Sequence, residues 1–153
     1  MDFHVSCRRR EAERSARREE RRAAGEPAVC VQCGGEINFD QGFSGRCQDC
    51  RERLRYIPKP LRSALVARGA RCVYCGAKAM CIDHVRPIAY GGDSSPENLE
   101  PCCADCNLDK NCQPIARWFT GPEATPVGRR AMAYSLARSA KVAAEWTRLT
   151  GQP

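Results

Sequence analysis

Four Cys-x-x-Cys pairs punctuate the chain: Cys30/Cys33, Cys47/Cys50, Cys72/Cys75 and Cys103/Cys106. This spacing sets two thiolates on one tight turn. Zinc takes four such ligands in a tetrahedron, so two pairs make one closed structural site. Four pairs predict two zinc sites, in preference to disulfides or a redox dithiol. Between the third and fourth pairs lies a second set of groups with different chemistry. Asp83-His84, Asn98 and Asn107 supply a carboxylate, an imidazole that titrates near neutral pH and two amides.

These groups need elements to hold them. Ala79 to Asp83 has strand character, with Met80 and Ile82 on one face, and ends on Asp83-His84. Pro87, Gly91, Gly92 and Pro96 mark a loop, after which Asn98-Leu99 re-enter. A helix is expected to start near Ala104 and to carry Asn107 and Lys110 on neighbouring turns. Zinc on Cys72/Cys75 and Cys103/Cys106 then staples the end of a β-hairpin to the start of that helix. It sets Asp83, His84 and Asn107 close together. A zinc-ligand role for His84 is the weaker reading, because eight paired cysteines already satisfy two ions.

The stretch from Cys72 to Lys110 resembles the HNH endonuclease family. The resemblance rests on Asp83-His84 followed by Pro87, on Gly91-Gly92, on Asn98-Leu99, and on Cys106-Asn107 with Lys110. It implies a small α+β protein with a zinc-stapled ββα-metal (His-Me finger) nuclease core. The upstream cysteine module is similar to the extra zinc finger of some phage and bacterial members. The third motif position, often His in the family, is Asn107 here, a variant that the family contains. By resemblance, His84 is the general base, and Asp83 and Asn107 hold one Mg²⁺ or Mn²⁺. Asn98 holds the His84 loop through hydrogen bonds and orients the imidazole, while Arg86 and Lys110 are candidates for contact with a neighbouring phosphate. The products implied are 5′-phosphate and 3′-hydroxyl ends. These roles make physical sense. Imidazole accepts a proton from water at neutral pH. Carboxylate and amide oxygens are hard ligands suited to such an ion, which acts as Lewis acid and template.

The rest of the chain frames this core. Residues 1–29 are rich in Arg and Glu, carry a net charge of +2 and lack an apolar face, which predicts a flexible or helical charged arm. Residues 30–50 are expected to be a zinc finger too small to fold without its metal. Residues 51–71 carry +6 and read as a basic linker with a short helix after Pro58 and Pro60. Arg51, Arg53 and Arg55 there are candidate phosphate contacts. The nuclease core spans 72–119, with a charge of −3 over 72–112. Over 125–150, Thr125 can cap a helix with Pro126 at its first position. Met132, Leu136, Val142, Trp146 and Leu149 then predict one helix over 126–149 that packs on the core. Trp118 and Trp146 read as packing residues. Cys7, Cys81, Cys102 and Cys112 fall outside the pairs; Cys81 reads as a small buried hydrophobe.

Composition narrows the function classes. The 153 residues carry a net charge of +7 and contain no apolar run near the roughly 18 residues of a membrane span. Met1 to Arg10 run into charge without an apolar stretch of signal-peptide length. The expectation from composition is a cytoplasmic protein with no membrane partner; the HNH resemblance adds DNA as partner and implies a metal-dependent DNA endonuclease. The rival reading is a non-catalytic zinc-finger nucleic-acid-binding protein, or an accessory component of a phage or bacterial DNA-processing or packaging complex.

Overall fold

The computed structural model describes residues 46–153, apart from the side chain of Arg51. It also describes Ala16, Glu19, Glu20, Ala23, Ala24, Val29, Cys30, 32–35 and Ile37. The expected arm over 1–29 falls mostly outside these residues; Ala16, Glu19, Glu20 and Ala23 are helical. The chain divides into two compact units, Met1–Arg53 and Leu54–Pro153.

In the first unit, Cys30 and Cys33 flank a tight turn. Gly34 N–H donates to the Cys30 carbonyl and Cys30 N–H to the Gly35 carbonyl, both at 2.8 Å. The second pair opens helix α1 (Gln48–Arg55). Cys47 Sγ accepts from Cys50 N–H at 3.4 Å, so a sulfur does what a capping oxygen usually does.

The second unit repeats this design. Cys72 and Cys75 flank a turn in which Gly76 N–H donates to the Cys72 carbonyl at 2.9 Å, with Gly76 at φ +76°. Cys103 caps helix α3 (Ala104–Lys110), its Sγ accepting from Cys106 N–H at 3.4 Å. Between the two pairs run strands β1 (Cys81–His84) and β2 (Leu99–Cys102). They are antiparallel, with Cys81 opposite Cys102, Asp83 opposite Glu100 and His84 opposite Leu99. Ahead of them, Pro60 near its start opens the short helix α2 (Lys59–Leu65), none of whose residues is buried. Cys102 is fully buried, whereas Cys81, expected to be a small buried hydrophobe, is half-buried and packs against the edge of the core.

Three helices close the core: α4 (Ile115–Thr120), α5 (Pro126–Leu136) and α6 (Ala140–Thr150). Thr125 caps α5 through Gly128 N–H, with Pro126 at the first position. The single helix expected over 126–149 is two helices. Leu136 and Val142 lie six residues apart, which no pair of turns on one helix face brings together. Ser139 sits three residues before Val142 and accepts its N–H, starting a new helix. The break lets Ala131 and Val142 both enter one cluster with Tyr74, Val85, Ile115, Trp118, Phe119 and Trp146. Tyr74 meets Trp118 edge-on at 4.9 Å, and Phe119 tilts against Trp146 at 5.9 Å. Both tryptophans are core residues.

Candidate functional site

The sulfurs of Cys30, Cys33, Cys47 and Cys50 all lie within 4.8 Å of one another, and so do those of Cys72, Cys75, Cys103 and Cys106. Zinc with bonds of ~2.3 Å in a tetrahedron needs sulfur separations of about 3.8 Å. Cys33 and Cys47 stand 3.8 Å apart, and Cys75 and Cys103 3.6 Å. The donor set and spacing fit zinc at both clusters. The Cys72 thiol is lowered to about 4, chiefly by its hydrogen bond with Cys106 and against its burial, and the same bond pushes Cys106 up. Cys102 stays out of the cluster, and burial pushes its thiol up.

The second unit carries a cleft of about 390 Å³ lined by Arg55, Arg62, Asp83, His84, Asn107 and Cys112, among others. Strand β1 delivers Asp83 and His84, and the first turns of α3 deliver Asn107. Asp83 is buried and accepts from Tyr74 Oη at 2.6 Å and from Lys110 Nζ at 2.9–3.0 Å. Burial, and then the Asp83 charge, holds the Tyr74 hydroxyl well above the usual tyrosine range, so it remains a donor. Lys110 is wholly buried and also donates to the His84 carbonyl at 3.0 Å. Its expected phosphate contact is therefore not made: the ammonium lies inside the fold, neutralising Asp83.

His84 is held below the ordinary imidazole value, first by burial, with the Lys110 and Arg55 charges adding to it against Asp83 and Asp93. Its Nε2 lies 2.9 Å from Ser94 Oγ. Asn98 has no bond to the imidazole. Its Oδ1 accepts from Arg86 N–H at 2.8 Å, and its Nδ2 donates to the Arg86 and Asp93 carbonyls at 2.9 and 2.7 Å. Asn98 thus pins both arms of the loop that carries Ser94. Gly92 completes the fit: a Cβ there would stand 1.9 Å from the Arg86 carbonyl oxygen.

Arg86 turns away from the cleft and pairs with Glu145 of α6 at 2.9 Å, which Arg148 also grips at 2.7 Å. Burial would raise the Glu145 carboxyl, but these two guanidinium groups hold it low. Arg53 and Arg55 are exposed, and Arg55 lines the cleft. Tyr74, Ser94 and Glu145 escaped sequence reasoning. Tyr74 sits inside a cysteine knuckle, where it reads as core, and Ser94 is one of two adjacent loop serines. Glu145 lies beside the core residue Trp146 on α6, and nothing near it in the sequence names Arg86, 59 residues away, as its partner.

Comparison with known proteins adds an independent line. The model of the HNH endonuclease family matches residues 72–113. Protein ea31 of Escherichia phage lambda is 39% identical over 71 residues, covering 41% of this chain and 24% of that protein. Human Sprouty-related, EVH1 domain-containing protein 1 is 27% identical over 99 residues, covering 65% of this chain and 18% of that protein. The chain thus spans a quarter or less of the length of these relatives. No solved structure matches. The family match begins at the third cysteine pair, ends just beyond α3 and encloses every residue of the Asp83–His84–Asn107 cluster; this chain carries an HNH endonuclease domain over residues 72–113.

Proposed function

We propose that the chain is a metal-dependent endonuclease that hydrolyses phosphodiester bonds in DNA. One observation carries the reading: an imidazole, a carboxylate, an amide and two guanidinium groups line the same cleft. His84 accepts the proton of the attacking water, and its lowered pKa keeps it neutral at physiological pH. Arg55 and Arg62 have no carboxylate partner among the described residues, and they face the charge of an entering phosphate. Asp83 keeps lone pairs beyond those taken by Tyr74 and Lys110, and the Asn107 amide has no partner among the described residues. These hard oxygens fit Mg²⁺ or Mn²⁺ and not a thiolate metal. When bound, the ion supplies Lewis-acid stabilisation of the phosphate and the leaving oxygen. Asn98 positions the loop and carries no proton.

The test is plasmid nicking by the zinc-loaded chain with Mg²⁺, beside His84→Ala. We expect loss of roughly 10²–10⁴-fold in the variant, with zinc content and DNA binding retained. Equal nicking by a clean preparation of the variant would sink the proposal. A second reading, a zinc-finger protein that binds nucleic acid without cutting it, draws on the Lys110 ammonium seated on Asp83, which already balances the carboxylate. Under that reading the wild-type chain binds DNA and leaves the plasmid closed.

A further inference from the structure

We propose that Ser94 is a positioning residue that fixes His84 in the Nε2–H tautomer and so assigns the proton-accepting role to Nδ1. The inference rests on the nuclease reading for its consequence, but its geometry stands apart from it. Ser94 Oγ has two hydrogen-bond neighbours: His84 Nε2 at 2.9 Å and the Leu54 carbonyl oxygen at 2.5 Å. A hydroxyl has one hydrogen. Two oxygens at 2.5 Å without a hydrogen between them would repel, so that hydrogen lies on the Leu54 side. Toward His84 the hydroxyl then offers only a lone pair, and Nε2 must carry the hydrogen.

Which ring nitrogen of a histidine is protonated is set by the bond its other nitrogen makes. With Nε2 as donor, the neutral ring has its free lone pair on Nδ1, which has no hydrogen-bond partner among the described residues. The Leu54 carbonyl suits the task. It lies in the last turn of α1 (Gln48–Arg55), where helix carbonyls lack an intrahelical partner. Accepting the Ser94 hydrogen satisfies it and polarises Oγ toward the imidazole. Ser94 itself is held by the loop that Asn98 closes through the Asp93 carbonyl. Asn98 therefore reaches the imidazole through one intermediary, and its effect on His84 passes through Ser94.

The experiment uses the full, zinc-loaded chain labelled with ¹⁵N. His4 is the only other histidine, and His4→Gln leaves His84 as the sole imidazole. Long-range ¹H–¹⁵N correlation, recorded above the imidazole titration, reads the tautomer directly. We expect the Nε2–H pattern in the otherwise wild-type chain. Ser94→Ala should show mixed tautomers and cleave DNA about tenfold more slowly with Mg²⁺, while zinc content is unchanged. Ser94→Thr, which keeps the hydroxyl, should restore both. An Nδ1–H pattern in the wild type, or an unchanged tautomer in Ser94→Ala, overturns the proposal. The expected tautomer pattern in a chain that cleaves nothing overturns the nuclease reading instead and leaves the tautomer assignment standing.

Discussion

Replacing Lys110 with Met tests the least expected contact in the site. The ammonium is fully buried, 2.9 Å from Asp83 Oδ2 and 3.0 Å from the His84 carbonyl, and the Asp83 side chain is 6% exposed. Two unit charges 2.9 Å apart attract by about 6 kcal/mol at an effective dielectric of ~20, and desolvation offsets much of that gain. Methionine keeps the stem and removes the charge, leaving a buried carboxylate with only the Tyr74 hydroxyl. Breaking a buried pair in this way costs about 3–5 kcal/mol. The His84 carbonyl, left without its donor, adds about 1 kcal/mol. We expect a loss of about 4–6 kcal/mol in urea unfolding of the zinc-saturated chain. Such a loss approaches the whole stability of a small domain. The companion variant Asp83→Asn/Lys110→Met therefore matters. It removes the uncompensated charge and should recover at least about 2 kcal/mol, as coupled neighbours do. A single-variant loss under about 1 kcal/mol, or strictly additive losses for the two changes, would refute the buried-pair reasoning.

Three other outcomes follow from the site. Burial holds the His84 pKa below its ordinary value of 6.5, and the reaction uses the neutral ring. The rate should therefore rise with pH through a midpoint below 6.5, and a kcat/KM profile with its midpoint above 6.5 would contradict the assignment. Mild EDTA treatment should abolish cleavage while two zinc ions stay bound, and Mg²⁺ or Mn²⁺ should restore it; metal analysis beside the nicking assay reads both parts. Arg55→Ala or Arg62→Ala should each weaken DNA binding and lower the salt-dependence slope by about 1, and unchanged slopes would remove these residues from the phosphate path.

What the sequence made legible is what short spacings encode. The cysteine pairs, the strand ending on Asp83-His84, the start of α3 near Ala104 and the Thr125 cap each depend on residues a few positions apart. What stayed hidden depends on groups that converge from afar. Lysine is almost never buried without a partner. The burial of Lys110 needs Tyr74 and Asp83 to meet it inside the fold. Arg86 looked like a phosphate ligand because its acid partner lies 59 residues away in α6. The break between α5 and α6 was visible as the six-residue gap from Leu136 to Val142, but Ala137, Arg138, Ala140 and Lys141 in that gap are all good helix formers and carried the helical pattern across it. Asn98 was expected to hold the loop only through the family resemblance; Ser94 on that loop was not expected to meet His84, because a loop serine is chemically commonplace.

The placement of Cys103 directly after the β1–β2 ladder has a consequence for how the cluster fails. Each strand has four residues, and a two-stranded ribbon of that size is marginal alone in water. Its last paired residues are Cys81 and Cys102, so the ligand pair begins where pairing stops. An ion shared by Cys72, Cys75, Cys103 and Cys106 would thus act as an address label for the ladder. Without it, a slip of one residue would turn Asp83 outward and Ile82 inward. Loss of that ion should then scramble the addresses of side chains while much of the helix content survives, so that far-ultraviolet circular dichroism would look sound in a protein whose carboxylate faces the wrong way.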